Sequence, residues 1–586
     1  MPFEDSRRLT GPNPYFAEVG AVLETCGVAI DAALVSGWRE RVVEMSRRLD
    51  WPEQVLVARA HARDASLAFS APLDQLLSAT EVNEWAWLAA LLAADHEPPL
   101  LFAPGHPAAW DTQLALHTLQ AHARAERDPT LCALVAASEA RGLGVLIDED
   151  TLSIGMGNGC RSFARNALPD PATLDWSALH DVPVALVTGS NGKTTTTRLL
   201  AALTRAQGWH TAYTCTDGVH VDTRELAAGD YSGPAGAREA LRAAGVEMAI
   251  LETARGGLLR RGLAPTHARC AIITNLSDDH FGEYGVHDLD DLAFAKFAVA
   301  RALDAHGMLI LNADDALLVR HAANISVPLA WFALDADAPL LREHRARGGI
   351  TCGVRDDRLV LEHGADTHDL GMIEQMPLTL RGSARYNIAN IAAAAIAAHL
   401  LGVDDAQLRS VLERFGHSPQ DNPGRLQDFE LGGVRVLVDY AHNPDGLRGL
   451  LQLARPTSGG RLALLLGQAG NRADGEIREL AGVAAEFAPN RIVLKDMSGM
   501  LRGRAVGEVP ALLREELLRR GLRDEELVTC LDEYTAVRTL LTWARPGDLL
   551  VLPIHGKLER PKVGALLAAM QAQHWAPGTP LPAAPG

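Results

Sequence analysis

The feature that most constrains this chain is a glycine loop between a predicted strand and a predicted helix, at residues 184–200. Residues 184–187 (Val-Ala-Leu-Val) form a short apolar run that is typical of a buried parallel strand. Residues 189–194 read Gly-Ser-Asn-Gly-Lys-Thr, and a helix is predicted over 195–206. Backbone N–H groups and the helix dipole at such a junction favour a phosphate. The sequence therefore predicts a nucleotide site, in which Lys193 reaches the terminal phosphates and the Thr194 hydroxyl binds Mg²⁺.

The loop departs from the full phosphate-loop pattern at one position. That pattern has a glycine five residues before Gly192, where this chain has Val187. An ordinary strand-to-helix turn is therefore the alternative interpretation. The flanking strand and helix favour the nucleotide site, whose predicted cradle consists of Gly189, Ser190, Asn191, Gly192, Lys193, Thr194 and Thr195.

Length, charge and cysteine usage limit the classes of protein to which the chain can belong. At 586 residues it is too long for a single core, and we expect three or four domains. The formal net charge of −18 argues against nucleic acid or an anionic membrane as the main partner. The seven cysteines are scattered without a Cys-x-x-Cys pair, which is typical of reduced thiols. We recognise no signal peptide or membrane-spanning stretch, so we expect a cytoplasmic protein.

Polar residues follow each of four predicted strands between residues 181 and 410. These strands alternate with helices, at 184–187, 248–251, 271–274 and 308–311, which indicates a mainly parallel sheet covered on both faces. The strand ends carry Glu252, Asn275, Asp279-His280 and Asn312. Because the carboxyl ends of parallel strands meet at one edge, we predict that Glu252 and His280 hold Mg²⁺ or its water shell beside Thr194. Taken singly, each of these residues could be a cap or an ordinary loop residue.

Two predicted helices carry further candidates. Lys296 lies on a helix predicted over 290–303, where it could equally be a surface lysine with a buried apolar stem. The Ala-rich helix predicted over 387–401 has Asn387 and Asn390 about one turn apart on one face. The apolar face of this helix is ordinary core, whereas paired amides at its start indicate binding.

The rest of the chain is predicted to form two flanking domains. Turn-forming residues cluster at 416–424, and apolar runs at 434–438, 462–466, 491–494 and 548–552 then predict a smaller α/β domain. The first part is predicted to be an α+β accessory domain for packing or substrate docking. We expect domains at 1–165, 166–415 and 416–575, followed by a disordered tail at 576–586.

From about residue 183 to 560 the chain resembles the Mur ligase family, whose members form amide bonds at the expense of ATP. The matching stretches are G-S-N-G-K-T-T (189–195), Glu252, N-L-S-D-D-H (275–280), A-K (295–296), N-A-D-D (312–315), N-I-A-N (387–390), P-G-R (423–425) and D-Y-A-H-N-P (439–444). The resemblance implies an α/β fold with a central parallel-sheet P-loop ATPase domain and a C-terminal Rossmann-like domain.

Within this family, other stretches resemble the Mur-like half of the cyanophycin synthetases. They are T-D-G-V (216–219), G-D-Y-S-G-P (229–234), E-T-A-R-G-G-L-L-R-R-G-L (252–263) and L-R-G-R-A-V-G-E (501–508). R-R-L-T-G-P-N (7–13) and A-T-E-V-N-E-W (79–85) resemble the amino-terminal domain of the same enzymes.

The cyanophycin synthetases carry an ATP-grasp module between these two parts, and that module adds aspartate to the polymer backbone. Here L-S-I-G-M-G (152–157) resembles its opening, and only about 25 residues separate this stretch from the Mur-like part. The module has no room in this chain. We therefore expect only the half that joins arginine to an aspartate side-chain carboxylate.

The resemblance implies phosphoryl transfer from ATP to a substrate carboxylate, followed by attack of an amine on the acyl phosphate. It assigns catalysis to Lys193, Glu252, His280 and Lys296, and Mg²⁺ binding to Thr194, Glu252 and His280. It also matches Lys296 to a family lysine that is often carbamylated. Further ATP contacts are implied for Asn275, Asn390, Arg425 and Asp439. Because the last two follow a predicted domain boundary, we expect the last domain to close over ATP before chemistry.

The substrates are predicted less sharply. Arg255, Arg260 and Arg261 could hold an anionic peptide carboxylate, with a solvated loop as the alternative. Asp496, Arg502 and Arg504 lie at positions where members of the family bind the incoming amino acid. We expect amino-acid and peptide substrates and a homo-oligomer. The competing hypotheses are a ligase for a cell-wall precursor or a polyglutamylated cofactor, and a catalytically silent partner that binds ATP or polymer.

Overall fold

The computed structural model describes residues 2–61, 64–94, 112–278, 281–454, 459–497 and 499–583. The internal contacts divide the chain into two units. The first unit comprises Met1–Leu276, Phe281–Gly371 and Ala389–Val411, and the second comprises Ser277–His280, Met372–Ile388 and Leu412–Gly586. The boundary that we predicted near residue 165 therefore lies within the first unit.

The first unit begins with an α+β part. Its strands are β1 Phe3–Leu9, β2 Gly20–Thr25, β3 Leu56–His61 and β4 Asp64–Ser70. They form an antiparallel sheet in the order β1-β2-β4-β3. Its helices are α1 Ala32–Arg48, α2 Leu76–Ala93, α3 Thr112–Glu126 and α4 Pro129–Glu139. Trp38, Phe69 and Trp87 are fully buried in its core.

A small antiparallel sheet connects this part to the next one. Its strands are β5 Val145–Ile147, β6 Thr151–Ile154 and β7 Arg161–Ala164. It packs on the following region partly through Arg242, whose guanidinium donates to the Ser153 hydroxyl at 2.7 Å and pairs with Asp148.

The main sheet has eleven strands: β8 Val184–Thr188, β9 Thr211–Cys215, β10 Gly218–Val221, β11 Arg224–Ala228, β12 Met248–Glu252, β13 Ala268–Ile273, β14 Leu303–Asn312, β15 Leu329–Asp335, β16 Ile350–Arg355, β17 Arg358–His363 and β18 Asp366–Met372. Their order is β11-β10-β9-β12-β8-β13-β14-β15-β16-β17-β18. The run from β9 to β16 in this order is entirely parallel. The four predicted strands are confirmed as β8, β12, β13 and β14, and the parallel α/β sheet is confirmed with them.

The helices of this region are α5 Lys193–Ala206, α6 Pro234–Arg242, α7 Arg255–Arg261, α8 Leu289–Lys296, α9 Ala316–Ala322, α10 Pro339–Ala346, α11 Arg385–Leu401 and α12 Asp405–Leu412. The helix predicted over 290–303 is wrong beyond Lys296. A 3-10 helix at Phe297–Ala302 follows, and Leu303 starts β14. The tighter turn keeps Ala298 and Val299 buried while the chain enters the strand.

The second unit contains a six-stranded sheet: β19 Gln427–Leu431, β20 Val434–Asp439, β21 Leu462–Leu466, β22 Arg491–Leu494, β23 Leu527–Thr529 and β24 Leu549–Pro553. Its order is β19-β20-β24-β21-β22-β23, and all pairs except β19/β20 are parallel. Its helices are α13 Pro444–Leu453, α14 Asp474–Glu486, α15 Glu508–Arg519, α16 Glu533–Trp543 and α17 Glu559–Ala572. The predicted strands of the smaller α/β domain are confirmed as β20, β21, β22 and β24.

Three further observations bear on the sequence predictions. Residues 576–583 contain no helix or strand, but Leu581 packs on the core and the Pro582 carbonyl accepts a hydrogen bond from Arg538 at 2.9 Å. The seven cysteines are free thiols. In the described ranges, no helix is long and apolar enough to cross a membrane.

Candidate active site

The glycine loop lies between β8 and α5 as predicted, and both of its glycines are required by the local geometry. Gly189 has φ +141° and Gly192 has φ +86°. A Cβ on Gly189 would lie 1.9 Å from the Thr274 hydroxyl, and a Cβ on Gly192 would lie 2.2 Å from Asn390 Oδ1. Neither position can carry a side chain without displacing its neighbour. The helix starts at Lys193, so the N–H groups of its first turn lie directly at the loop.

Asn275, predicted to contact ATP, holds the backbone of the loop. Its Oδ1 accepts from the Asn191 N–H at 2.9 Å, and its Nδ2 donates to the Asn191 carbonyl at 3.0 Å. Its own carbonyl accepts from the Ser190 N–H at 3.0 Å. The Thr274 hydroxyl donates to the same Asn191 carbonyl at 2.6 Å. The residues that follow β13 therefore set the shape of the loop.

Two lysine side chains converge on one carbonyl of the loop. Lys193 Nζ donates to the carbonyls of Gly189 at 2.9 Å and Ser190 at 3.0 Å. Lys296 Nζ donates to the same Gly189 carbonyl at 2.7 Å, and Lys296 is only 2% exposed. The burial excludes the alternative that Lys296 is a surface lysine. Two ammonium groups on one oxygen concentrate positive charge at the loop, which suits a polyphosphate.

Three oxygen-bearing side chains meet at the start of α5. Thr194 Oγ1 donates to Glu252 Oε2 at 2.8 Å and lies 3.2 Å from Thr216 Oγ1. Glu252, at the end of β12, is 2% exposed. Hydroxyl and carboxylate oxygens are the ligands that Mg²⁺ prefers, and Mg²⁺ uses few protein ligands when it also binds phosphate. The donor set fits the predicted metal.

The remaining predicted metal ligand, His280, lies outside the described residues, as does the neighbouring Asp279. Within the residues that the structure describes, no group of three or more His, Cys, Asp or Glu side chains could hold a metal ion. The described part of the predicted magnesium site is therefore the Thr194 hydroxyl and the Glu252 carboxylate, and His280 stays a prediction.

The predicted substrate arginines lie on α7, which directly follows the end of β12. Arg255 is 8% exposed, and its guanidinium lies 3.2 Å from the Glu283 carboxylate. Arg260 is exposed, and its Nε donates to the Tyr284 hydroxyl at 3.2 Å. Arg255, Arg260 and Arg261 all belong to a helix that packs on the sheet and not to a loop, but Arg260 is exposed to solvent.

In the second unit, Arg425 lies just before β19, and Asp439 is the last residue of β20. The Arg425 guanidinium lies 3.9 Å from the centre of the Tyr440 ring. The Asp439 carboxylate accepts from the backbone N–H groups of Leu426 at 2.7 Å and Ala441 at 2.8 Å. Burial raises the pKa of Asp439, and the charge of Arg425 opposes this shift. The contacts fix the orientation of the Arg425 side chain on the aromatic ring.

The three residues predicted to bind the incoming amino acid differ in their surroundings. Arg504 is saturated by protein partners: it donates to the carbonyls of Gly470 at 2.9 Å and Arg472 at 2.7 Å, and it pairs with Asp474 and Glu508 at 2.7 Å each. Arg502 is exposed and has φ +49°. Asp496 is 5% exposed, and among the described residues only one of its oxygens has a hydrogen-bond partner, the Gly507 N–H at 2.8 Å.

The structure also shows a buried charged network that the sequence patterns did not assign to the site. Lys495 is fully buried and forms an ion pair with Glu533. Its Nζ donates to His555 Nδ1 at 3.0 Å, and His555 Nε2 donates to the Ala441 carbonyl at 2.9 Å. Burial lowers the pKa values of Lys495 and His555, so His555 is held neutral. The sequence feature that could have indicated this network is the presence of polar residues directly after two strands, Lys495 after β22 and His555 after β24.

Comparison with protein families matches two parts of the chain. Residues 187–398 match the Mur ligase middle domain, and residues 424–553 match the Mur ligase, glutamate ligase domain. Both matches contain predicted site residues, the glycine loop in the first and Arg425 with Asp439 in the second.

Individual proteins are similar over the same region. The cyanophycin synthetase of Trichormus variabilis is 36% identical over 371 residues, which are 63% of this chain and 41% of that enzyme. A second similar protein is the UDP-N-acetylmuramoyl-L-alanyl-D-glutamate–2,6-diaminopimelate ligase of Thermosynechococcus vestitus. It is 27% identical over 380 residues, which are 62% of this chain and 70% of that enzyme. The solved structure of E. coli FolC in complex with DHPP and ADP has a TM-score of 0.46 at 18% identity, covering 66% of this chain and 89% of FolC. The chain spans about two fifths of the length of the cyanophycin synthetases that it matches.

Proposed function

Because this chain belongs to the Mur ligase family through its middle and C-terminal domains, we propose that it is an ATP-dependent ligase that joins a carboxylate to an amine. The acceptor carboxylate belongs to an aspartate-containing peptide, and the amine belongs to an amino acid. The choice of acceptor follows the similarity to cyanophycin synthetases, which matches 41% of their length. The observation that carries the proposal is the glycine loop with Lys193 and Lys296 on one carbonyl and the Thr194–Glu252 pair at its edge.

In the first step, a carboxylate oxygen of the acceptor attacks the γ-phosphorus of ATP, an acyl phosphate forms and ADP leaves. The protein has to align the groups and stabilise the charge of the transferred phosphoryl. The N–H groups of the first turn of α5 donate hydrogen bonds to phosphate oxygens. Lys193 and Lys296 stabilise the charge, since their ammonium groups already lie at the loop.

Thr194, Glu252 and His280 would hold Mg²⁺, which when bound would neutralise charge on the phosphate oxygens. The Glu252 carboxylate accepts a hydrogen bond from the Thr194 hydroxyl, which leaves the lone pairs of that hydroxyl pointing away from the carboxylate. In the second step, the amine attacks the acyl carbon, phosphate leaves through a tetrahedral intermediate, and the nitrogen loses a proton. Asn390, Arg425 and Asp439 remain proposed ATP contacts, and Asp496 and Arg502 remain proposed contacts of the incoming amino acid.

The test is ADP release with ATP, Mg²⁺ and an array of amino acids, each with and without aspartate-containing peptides. We expect release that requires one amine and one acceptor and that is lost in Lys193→Ala. Lys562→Ala, at an exposed position of α17, is the matched control and should keep full activity. ATP binding without release in every combination would favour the silent partner, and release with a cell-wall precursor alone would overturn the proposed acceptor.

A further inference from the structure

Two sequence stretches far apart in the chain interlock within the first unit. The Thr10 N–H donates to the Arg261 carbonyl at 2.8 Å, and the Leu263 N–H donates to the Pro12 carbonyl at 2.7 Å. The segment after β1 and the end of α7 therefore pair through their backbones.

Glycine is required on both sides of this contact. A Cβ on Gly11 would lie 2.0 Å from the Leu263 carbonyl oxygen. Gly262 has φ +85°, and its Cβ would lie 2.7 Å from the Gly11 carbonyl oxygen. No other residue allows the two backbones to approach so closely. The contact is therefore a specific joint, which we call the β1–α7 seam (residues 7–13 and 259–263).

Arg7 anchors this seam from the N-terminal sheet. It is 5% exposed, its Nε donates to the Leu259 carbonyl at 2.8 Å, and its Nη2 pairs with Glu24 at 2.6 Å. Its guanidinium also lies 4.7 Å from the centre of the Tyr284 ring. One buried arginine thus joins β1, α7 and the segment that precedes α8.

A second arginine of the sheet holds the same segment. Arg59 on β3 donates to the Gly285 carbonyl at 3.1 Å and forms an ion pair with Asp291. Gly285 has φ +67° and lies so close to His61 that a Cβ would be 2.6 Å from the imidazole Nε2. The N-terminal sheet therefore positions the segment that carries Tyr284.

Positive charge accumulates at the seam. Among the described residues, Arg8, Arg260 and Arg261 have no carboxylate partner, whereas Asp5 is paired with Arg7 and Glu283 with Arg255. Burial lowers the pKa of Arg261, and the nearby charges of Arg8, Arg260 and Arg7 lower it further against the opposing effect of Asp5. Such crowding of like charges is costly without an anion, and it occurs in a chain whose net charge is −18.

The helix α7 connects the end of β12, which carries Glu252, to the seam. The helix α7 begins three residues after Glu252 and ends at Arg261. Seven helical residues span about 10 Å, which is the reach of about three extended peptide residues. An acceptor whose reacting carboxylate lies near Thr194 could therefore place its neighbouring carboxylates on these arginines.

We propose that Arg8 of β1 together with Arg260 and Arg261 of α7 binds the carboxylates of an acidic peptide, so that the N-terminal sheet supplies part of the acceptor site. This inference rests on the proposed function for the identity of the peptide as acceptor. The seam fixes the backbones that carry these three arginines, and Arg261 Nη1 donates to the Arg8 carbonyl at 3.3 Å. Arg7 and Arg59 hold the supporting elements. Arginine suits the role because its planar fork binds carboxylates in a bidentate manner.

The test is direct binding of a fluorescein-labelled tetra-aspartate peptide, followed by anisotropy without turnover. We expect each of Arg8→Ala, Arg260→Ala and Arg261→Ala to weaken binding about 5- to 10-fold, and the triple variant about 100-fold or more. The salt dependence should become shallower as each charge is removed. Arg347→Ala, in an exposed ion pair directly after α10, is the matched control and should bind as the wild type does. A tetra-serine peptide should not bind.

Equal binding by the wild type and the triple variant would overturn the inference, and so would no binding by the wild type. Tighter binding of a short oligonucleotide than of the peptide would also overturn it. The thermal midpoints of the variants report whether the fold is intact. Binding by the wild type with loss in the triple variant, but no ADP release with any acceptor, would leave this site standing and reject the proposed function. Normal ADP release with an unchanged KM for the acidic acceptor in the triple variant would reject this site alone.

Discussion

The Thr194 hydroxyl donates to the Glu252 carboxylate at 2.8 Å, and this contact joins the first turn of α5 to the end of β12. The two strands β8 and β12 are parallel neighbours, with Val187 level with Glu252. The loop after one strand and the carboxylate at the end of the next are therefore held at the same edge of the sheet. Both side chains are buried, so their spacing is set by the sheet rather than by the loop alone.

Glu252→Gln should lower kcat for ADP release by about 100- to 1,000-fold, because the amide keeps a hydrogen-bond acceptor but removes the charge that holds the metal. The Mg²⁺ concentration for half-maximal activity should rise in the same variant. Thr194→Ser keeps the hydroxyl and should stay close to wild type. A Glu252→Gln enzyme with unchanged Mg²⁺ dependence would contradict the assignment of this pair to the metal.

Gly192→Ala should abolish nucleotide binding, because the new methyl group would lie 2.2 Å from Asn390 Oδ1 and the residue has φ +86°. Gly208→Ala is the matched control, since Gly208 also has positive φ, +99°, but a Cβ there meets nothing within 4 Å. It should cost about 1–2 kcal/mol of stability and leave nucleotide affinity unchanged. Titration with a fluorescent ATP analogue, together with thermal unfolding, checks both. Equal loss of binding in the two variants would mean that backbone strain alone is responsible.

Glu533→Gln should destabilise the second unit by about 3–5 kcal/mol, because it leaves the ammonium of Lys495 buried without a counter-charge. The double variant Lys495→Met/Glu533→Leu should be less destabilised than Glu533→Gln, since it removes both charges. Urea unfolding of the three proteins measures the difference. If the double variant is less stable than Glu533→Gln, the loss of stability comes mainly from the missing ion pair and not from the unpaired charge of Lys495.

The stability of the second unit should fall as the pH is lowered below about 6.5, the ordinary pKa of histidine. Burial first, and the charge of Lys495 second, lower the pKa of His555 in the folded protein, so the unfolded chain binds the extra proton. The contribution of neutral His555 to the free energy of unfolding is therefore complete above the pKa that this histidine has in the unfolded chain. Below that pKa the contribution falls by about 1.4 kcal/mol per pH unit. His555→Gln should remove this slope in urea unfolding between about pH 7 and 5. His574→Gln, at an exposed position of the same unit, is the control and should keep it.

Arg504→Ala should lower the thermal midpoint, because the side chain joins Gly470, Arg472 and Asp474 to the start of α15. Arg502→Ala should leave the midpoint unchanged and raise the KM for the incoming amino acid, since Arg502 is exposed. Differential scanning fluorimetry and ADP-release kinetics separate the two effects. A KM change in Arg504→Ala without a change in thermal midpoint would restore its predicted role as a substrate contact.

The order of strands and helices around the site could be predicted from the sequence because hydrophobic periodicity and turn residues are local signals. The runs at 462–466 and 491–494 coincide with β21 and β22, and the glycine loop lies where its sequence indicated. The end of α8 was mispredicted, because apolar spacing alone does not distinguish an α-helix from the 3-10 turn at Phe297–Ala302. Domain organisation depends on contacts between distant segments, which periodicity does not report.

The sequence by itself determined the strand–loop–helix unit at 184–206 and the residue types that suit a phosphate and Mg²⁺, because these depend on neighbours in the chain. Only the tertiary structure decided that Lys296 is buried on the Gly189 carbonyl, that Asn275 braces the loop, and that Arg504 is fully occupied by protein partners. It alone joined Gly11 to Leu263 across the β1–α7 seam. The reason is physical: burial, ion pairing and close backbone approach arise between residues that are distant in the chain, and only the packed fold brings them together.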